Sequence, residues 1–459
     1  MKNFAISVLI IALFSCVDKQ DQQENGITTQ IEVFLDDAFS SCPSGGVVLI
    51  AKGGKEIFSK AYGMADLELN VPMRTDHVLA TGSITKQFTA VAILKLVQEG
   101  KLKLHDDVRK YVPELETFGK IITIEQVLTH TSGLPNFVDL DDFDAFAIRE
   151  LSPLEIVLLT KGQSLLFEPG TEYAYSDSGY ILLGLIIERQ SNMSYAAYLE
   201  SNIFRPAGMN NTWYVDTERI IPNRVKGYSV VNDVVVHTAY IHMSIPHAAG
   251  AIFASAGDLL IWSNALKNGE IISDSLLQKA WNPVILPDGT STAYGYGWGL
   301  CAIAGKSTRE HGGFLNGFFA RLIEIPEEEL LITVLVNNDA DIPEPGFVAR
   351  SIARILLTQN PYPVIVEPTL TDIQNWAGSY VVGENDKIHI TLTENRLVYQ
   401  QNDRKEIPLW AISVNDFLID RQDDVMQVYF DSVSINENSV IQLTFTRSCK
   451  PQFKATKIK

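Results

Sequence analysis

Thr81-Gly82-Ser83-Ile84-Thr85-Lys86-Gln87-Phe88 is followed by an apolar run, Val91, Ile93, Leu94, Leu96 and Val97, and then by Gly100. Ser83 and Lys86 stand three apart, so on a helix begun by Ser83 they share a face and the ammonium reaches back to the hydroxyl. A serine hydroxyl is a weak nucleophile at neutral pH and needs a base beside it. Lysine can be that base only where burial or neighbouring positive charge lowers its pKa. The apolar run promises burial, and the N–H groups at a helix start point towards developing negative charge. A surface lysine on an amphipathic helix gives the same four letters, so the rest of the chain must decide.

Working outward, Ile27, Ile31, Phe34, Leu35, Ala38 and Phe39 keep helical period, and Val47 to Ala51, Gly53-Gly54 and Glu56 to Tyr62 read as a β-hairpin. Thr123 and Gln126 form a capping box for a helix running to His130. Asp139, Asp141, Asp142 and Asp144 lack the glycine and terminal glutamate of a calcium loop and read as a solvated loop or lid. Glu168-Pro169-Gly170 breaks the chain, Tyr180 to Gln190 resumes a helix, and Ala248 to Leu266 is a loop and helix. Tyr294 to Cys301, the segment around His311, Phe318 to Ile325 and Leu330 to Val336 then read as consecutive strands closed by a helix from Val348 to Leu357. Strands first, helices in the middle and strands again make an α/β arrangement with a helical insertion. Pro361-Tyr362-Pro363 and Glu367-Pro368 mark a linker over 359–368. Beyond it, over 369–459, period-2 runs such as Ile388, Ile390, Leu392 and Met426, Val428, Phe430 predict a small antiparallel barrel or sandwich.

The 459 residues suffice for two or three domains, and 37 basic against 55 acidic side chains give a net charge of −18. That balance disfavours nucleic acid and anionic membrane surfaces as partners. Phe4 to Phe14, after Lys2, has signal-peptide length and is too short to span a bilayer. Leu13-Phe14-Ser15-Cys16 resembles a bacterial lipoprotein signal, which predicts a signal over 1–16, lipidation of Cys16, a polar tether over 17–26, and a periplasmic or envelope location. A plain cleaved signal with an incidental cysteine is the alternative. Cys42, Cys301 and Cys449 show no metal spacing and read as unpaired or incidental, although export would let two of them join.

Three segments carry a resemblance: Ser83-Ile84-Thr85-Lys86, Tyr175-Ser176-Asp177 and His311-Gly312-Gly313. With connecting text such as His130-Thr131-Ser132-Gly133-Leu134-Pro135 and Ile203-Phe204-Arg205-Pro206-Ala207-Gly208-Met209, residues 27–358 resemble the serine β-lactamase and penicillin-binding-protein superfamily, closest to its class C and esterase or D-aminopeptidase branch. The resemblance implies an antiparallel sheet flanked by helices with a helical subdomain. It implies Ser83 as nucleophile, Lys86 as the group that takes or shares its proton, and Tyr175 as a second acid–base group whose pKa the Lys86 charge lowers. Backbone N–H groups of Ser83 and Phe314 would hold the oxyanion, with Gly312 and Gly313 letting a strand edge lie close to the substrate.

Two positions depart from the penicillin-hydrolysing pattern. Asp177 stands where an asparagine is usual, and His311 where a lysine is usual. An ionised Asp177 offers only acceptors to a substrate carbonyl, and a histidine is a weaker attraction for a substrate carboxylate. The expected substrate is therefore a small ester or a peptide containing D-amino acids, cleaved through an acyl-serine without metal or organic cofactor, and penicillins are expected to react poorly. A true β-lactamase or D,D-carboxypeptidase is the alternative within enzymes; a catalytically silent binder of cell-wall or peptide ligands is the alternative outside them. His242 and His247 lack a third metal ligand, and His130 reads as a residue that holds a turn. The oligomeric state does not follow from the sequence.

Overall fold

The computed structural model describes residues 26–457 apart from 217, 341, 383–385, 394–395, 403, 414, 420–425, 436–437 and 448–449. The proposed signal and tether up to residue 25, Cys16 and Cys449 lie outside the described residues.

Gly45–Lys52 and Leu330–Val336 are apolar along almost their whole length, as strands covered on both faces must be. They pair at the centre of a seven-stranded antiparallel sheet. Its order is Val71–Pro72, Lys55–Asp66, Gly45–Lys52, Leu330–Val336, Phe318–Ile325, Lys306–Leu315, Gly299–Ile303. Successive side chains point to opposite faces, so alternate residues build two separate cores. Val48, Ile50, Ile323, Ile332 and Val334 meet the helix over 26–38 through Ile31 and Leu35, and the helix Pro345–Thr358 through Val348, Ile352 and Ile355. Val47, Leu49, Leu322, Leu331 and Leu335 face the larger core formed with the helices between the two halves of the sheet. At the centre of that second core lie Thr85–Gln98 and Asp177–Ser191, whose residues are buried almost all round.

The outer strand decides where a site can form. Lys306–Leu315 pairs with Phe318–Ile325 from Arg309 to Leu315, but with Gly299–Ile303 only from Lys306 to Glu310. From His311 onward its outer edge carries no sheet partner and faces the Ser83 turn instead.

Several short elements differ from the sequence reading. Tyr294 precedes the strand, which begins at Gly299. Ala248 to Leu266 contains a three-residue strand, Ile252–Ala254, between the helices His247–Gly250 and Ala256–Lys267. The acidic stretch is partly helical, at Phe143–Ala147. Strands Thr212–Tyr214, Tyr228–Val231 and Val234–His237 had no legible period at three or four residues each. Beyond the prolines, nine antiparallel strands from Gly378–Val382 to Lys450–Lys457 form a second sheet with its own core around Tyr380, Phe417, Phe430 and Leu443.

Candidate active site

Ser83 does not begin the α-helix. It sits in the 3-10 turn Gly82–Ile84, and the α-helix starts at Thr85. The turn is pinned on both sides by one residue of the short strand behind it. Thr81 donates to the Ile252 carbonyl from its backbone N at 2.9 Å and its Oγ1 at 2.8 Å, and Ile252 N donates to Thr85 Oγ1 at 3.1 Å. Ser83 is thereby presented at a fixed height above the helix axis, half-exposed where its neighbours are buried.

Lys86 is fully buried one turn below. Its Nζ donates to Ser83 Oγ at 2.9 Å, to Asp177 Oδ1 at 2.6 Å and to the Ala249 carbonyl at 3.0 Å, so all three ammonium donors have acceptors. The ring of Tyr175 lies 4.7 Å from the same nitrogen and that of Tyr180 at 5.5 Å. Burial lowers the Lys86 pKa, and the Asp177 charge and hydrogen bond oppose that shift.

Tyr175 lies beside both Ser83 and Lys86. Its ring centroid is 4.3 Å from His130 and 6.3 Å from both Tyr294 and His311. The expectation that Lys86 lowers the phenol pKa is corrected here. Burial, followed by the Asp177 charge, raises the Tyr175 pKa well above the usual tyrosine range, and only a hydrogen bond with Ser83 pulls the other way. The main physical reason is burial, which disfavours the phenolate, and the Asp177 carboxylate paired with Lys86 at 2.6 Å adds to it. Tyr175 thus rests as a neutral O–H group.

His130 holds the Tyr175 loop, with backbone φ +58°. Its Nδ1 accepts from Ser176 N at 3.1 Å and its carbonyl from Ala174 N at 2.9 Å. Asp177 opens the helix Asp177–Ser191, capped by the Ser176 side chain. Asn136 Oδ1 also accepts from Asp177 N at 3.0 Å and from Ser178 N at 3.4 Å. Asp177 therefore reaches Lys86 from a doubly secured helix end, and its expected place against a substrate carbonyl is corrected for one of its two oxygens.

On the sheet side, Gly313 and Gly82 are in backbone contact. A Cβ at Gly313 would stand 1.9 Å from the Thr81 carbonyl oxygen and 3.1 Å from Ser83 N; one at Gly82 would stand 2.5 Å from Phe314 N and 2.7 Å from Phe314 O. Both polar atoms of Phe314 thus lie on the open strand edge, next to the Ser83 N–H. Two converging N–H groups beside a serine hydroxyl can stabilise an oxyanion. The Phe314 side chain turns outward and is 53% exposed. His311 is buried, with Nε2 2.9 Å from the Tyr294 hydroxyl and Nδ1 2.5 Å from the Gly312 carbonyl. It lies beside Tyr175 rather than out in the cleft.

Ser83, Lys86, Tyr175, Asp177, His311, Gly312, Gly313 and Phe314 are thus brought to one place from three separate stretches of the chain. Sequence reading missed Asn136, Ala249, Tyr180 and Tyr294, of which only Asn136 left a trace, directly after Gly133-Leu134-Pro135. His242 and His247 are apart from each other's chemistry. His242 Nδ1 meets Ser244 Oγ at 2.9 Å, whereas buried His247 faces Glu188 at 3.8 Å. Among the described residues, no group of three or more His, Cys, Asp or Glu side chains is placed to hold a metal ion.

A serine on the turn that leads into a helix, a buried lysine in that helix's first turn, an edge strand across from them, and a sheet covered by two terminal helices define the class of serine hydrolases with the β-lactamase and transpeptidase-like fold. The family model described as Beta-lactamase matches residues 35–357, and the chain belongs to that family. It is 28% identical over 398 residues to penicillin-binding protein 4* of Bacillus subtilis (strain 168), covering 82% of this chain and 87% of that protein. Protein flp of Staphylococcus aureus (strain N315) is 30% identical over 303 residues, 65% of this chain and 60% of that protein. Among solved structures, the octameric penicillin-binding protein homologue from Pyrococcus abyssi superposes with TM-score 0.67 at 23% identity, over 94% of this chain and 100% of that one. The D-amino acid amidase from Ochrobactrum anthropi SV3, complexed with L-phenylalanine, superposes with TM-score 0.64 at 25% identity, over 72% of this chain and 100% of that one.

Proposed function

We propose that this protein cleaves a small ester or an amide, including peptides that contain D-amino acids, through an acyl-serine intermediate at Ser83. The observation that carries the reading is the fully buried Lys86 Nζ at 2.9 Å from Ser83 Oγ, across from the open edge at Phe314. Ser83 Oγ attacks the substrate carbonyl carbon while its proton passes to Lys86, whose burial favours the neutral amine that can accept it. The oxyanion is held by the N–H groups of Ser83 and Phe314, each lowering the barrier by about 3 kcal/mol. The bond from carbonyl carbon to leaving group then breaks, and the leaving atom takes the Tyr175 proton, which Lys86 replaces. Water reverses the sequence: it attacks the acyl carbon while its proton passes to neutral Lys86, directly or through Tyr175 as that hydroxyl hands its own proton on, and Ser83 leaves with a proton returned from Lys86.

The high pKa of Tyr175 suits it to donate a proton rather than to begin as phenolate. β-Lactams are poor substrates on this reading, because Asp177 offers a substrate carbonyl only acceptors and His311 is engaged with Tyr294. We extend the proposal to export and lipid anchoring at Cys16. The test is turnover of nitrophenyl acetate by the wild type and by Ser83→Ala. The variant should lose all turnover above background with an unchanged circular dichroism spectrum, and retention of turnover would refute the assignment.

A further inference from the structure

His247 is buried close to Lys86 and takes no part in the acyl-transfer steps. It opens the single helical turn His247–Gly250 and holds its backbone at φ +30°. A residue with a Cβ stays in that left-handed region only where its surroundings dictate it, and such residues collect at functional sites. Here the surroundings are the helix Asp177–Ser191 and the chain just after it. A Cβ at Gly184 would stand 3.0 Å from His247 Cε1, 3.1 Å from its Nδ1 and 2.5 Å from Ala248 Cβ, so ring and turn lie directly on the helix backbone. Packed there, Nδ1 has no hydrogen-bond partner among the described residues. Nε2 lies 3.8 Å from Glu188 Oε1, and that oxygen is fixed by Tyr195 N, which donates to it at 2.8 Å. The rings of Tyr195 and Tyr214, centred 5.0 and 5.8 Å away, close the remaining sides.

The turn presents two successive carbonyls to the helix Thr85–Gln98. Ala248 O accepts from Thr89 Oγ1 at 2.6 Å, so the Tyr195 hydroxyl, 2.6 Å from the same Oγ1, is the donor in that second bond. Ala249 O accepts from Lys86 Nζ at 3.0 Å. The other groups facing Nζ are Ser83, Asp177 and the rings of Tyr175 and Tyr180. A carbonyl binds an ammonium more strongly than an amine, so the aim of Ala249 O helps set how firmly Lys86 keeps a proton. Residue 247 is where that aim is decided, because the two carbonyls follow it directly. Relaxing its φ to an ordinary negative value would swing both away from Thr89 and Lys86.

We propose that His247 is a positioning residue for the proton transfer: its ring, wedged on Gly184 beside Glu188 and Tyr195, holds the left-handed start of the turn and so aims the Ala249 carbonyl at Lys86. This rests on the reading of Lys86 as the base. The test is the pH dependence of kcat/KM on nitrophenyl acetate, with rates normalised to the fraction of protein that a fluorophosphonate labels. His247→Ala loses the ring but keeps the strain, so the turn relaxes and the ammonium loses an acceptor. Its acid limb should move to lower pH by about half a unit or more. Asparagine adopts positive φ readily, so His247→Asn also loses the ring yet lets the turn keep its shape; its limb should stay within about 0.2 unit of the wild type. A packing role alone would make the two variants alike, both melting earlier with the limb in place. His242→Ala, on the approach to the same turn, is the control and should leave the limb unmoved. Should His247→Ala fold poorly, Gly184→Ala presses on the same ring and on Ala248 from the helix side and should move the limb in the same direction. An unmoved limb in His247→Ala and Gly184→Ala, or one moved as far in His247→Asn as in His247→Ala, would overturn the inference alone. Turnover at the wild-type rate in Lys86→Ala would overturn the reading of Lys86 as base and the inference with it.

Discussion

Replacing Gly313 by alanine tests whether the strand edge, and not only the serine–lysine pair, makes this site. The new Cβ would stand 1.9 Å from the Thr81 carbonyl oxygen, 2.8 Å from its carbon and 3.1 Å from Ser83 N. Ordinary carbon–oxygen contact begins near 3.4 Å, so the strand and the Ser83 turn must separate by about 1.5 Å. The atoms in collision are backbone on both sides, and the Ile252 hydrogen bonds hold the Thr81 side in place, so no flexible side chain can absorb the strain. A displacement of that size takes Phe314 N out of hydrogen-bond reach of the oxyanion. Loss of one such donor costs about 3 kcal/mol of transition-state stabilisation, or roughly a 10²–10³-fold fall in kcat. The neighbouring glycine is the control. A Cβ at Gly312 would meet nothing closer than Arg321 Cζ at 3.4 Å, on the other face of the sheet, so Gly312→Ala should keep kcat within about fivefold. The assay is kcat on nitrophenyl acetate alongside a melting curve for each variant. Gly313→Ala with near-normal kcat and a native fold would refute the placement of the oxyanion site, as would equal losses in the two variants.

Three further outcomes are expected. Tyr175→Phe should lower kcat by two or more orders of magnitude while leaving the melting temperature little changed, because the donor to the leaving group is gone; near-normal turnover would contradict its role. The Asp177 charge opposes the burial that lowers the Lys86 pKa, so Asp177→Asn should let burial act alone. The base then stays neutral to lower pH, and the acid limb of the kcat/KM profile should shift downward; an upward shift or none would count against Lys86 as the base. Cys16→Ser should move the full-length protein from a detergent-extracted membrane fraction to a soluble one, and an unchanged distribution would favour a plain cleaved signal.

The sheet and its helices were legible because they obey long periods. Leu330 to Val336 is apolar but for Thr333, and the helix over 26–38 repeats every three to four residues. Ser83 and Lys86 were legible for a related reason, since local helical spacing puts them on one face. Tyr175 and the strand at His311 came from the family resemblance; what escaped was the particular contacts between segments far apart in sequence. Asp177 and Lys86 are 91 residues apart, and Ala249 and Lys86 are 163 apart. Nothing in local spacing says that a carboxylate will end 2.6 Å from that ammonium, or that Tyr175 will be buried deeply enough to raise its pKa. The pinning strand Ile252–Ala254 is three residues long, too short to show a period, although its hydrogen bonds fix the Ser83 turn. Gly312 and Gly313 could be read as a place of close approach, but which of them makes the approach depends on the pleat of the folded strand.

The central claim is that Ser83 becomes covalently acylated with Lys86 taking its proton. Intact mass measured after exposure to a fluorophosphonate probe, followed by peptide mapping, tests it most directly. The wild type should gain the mass of one phosphonyl group, mapped to the peptide containing Ser83. Ser83→Ala should gain none, and Lys86→Ala should label far more slowly with its fold intact. Labelling of Ser83→Ala at the wild-type rate, or modification mapped to another residue, would contradict the account.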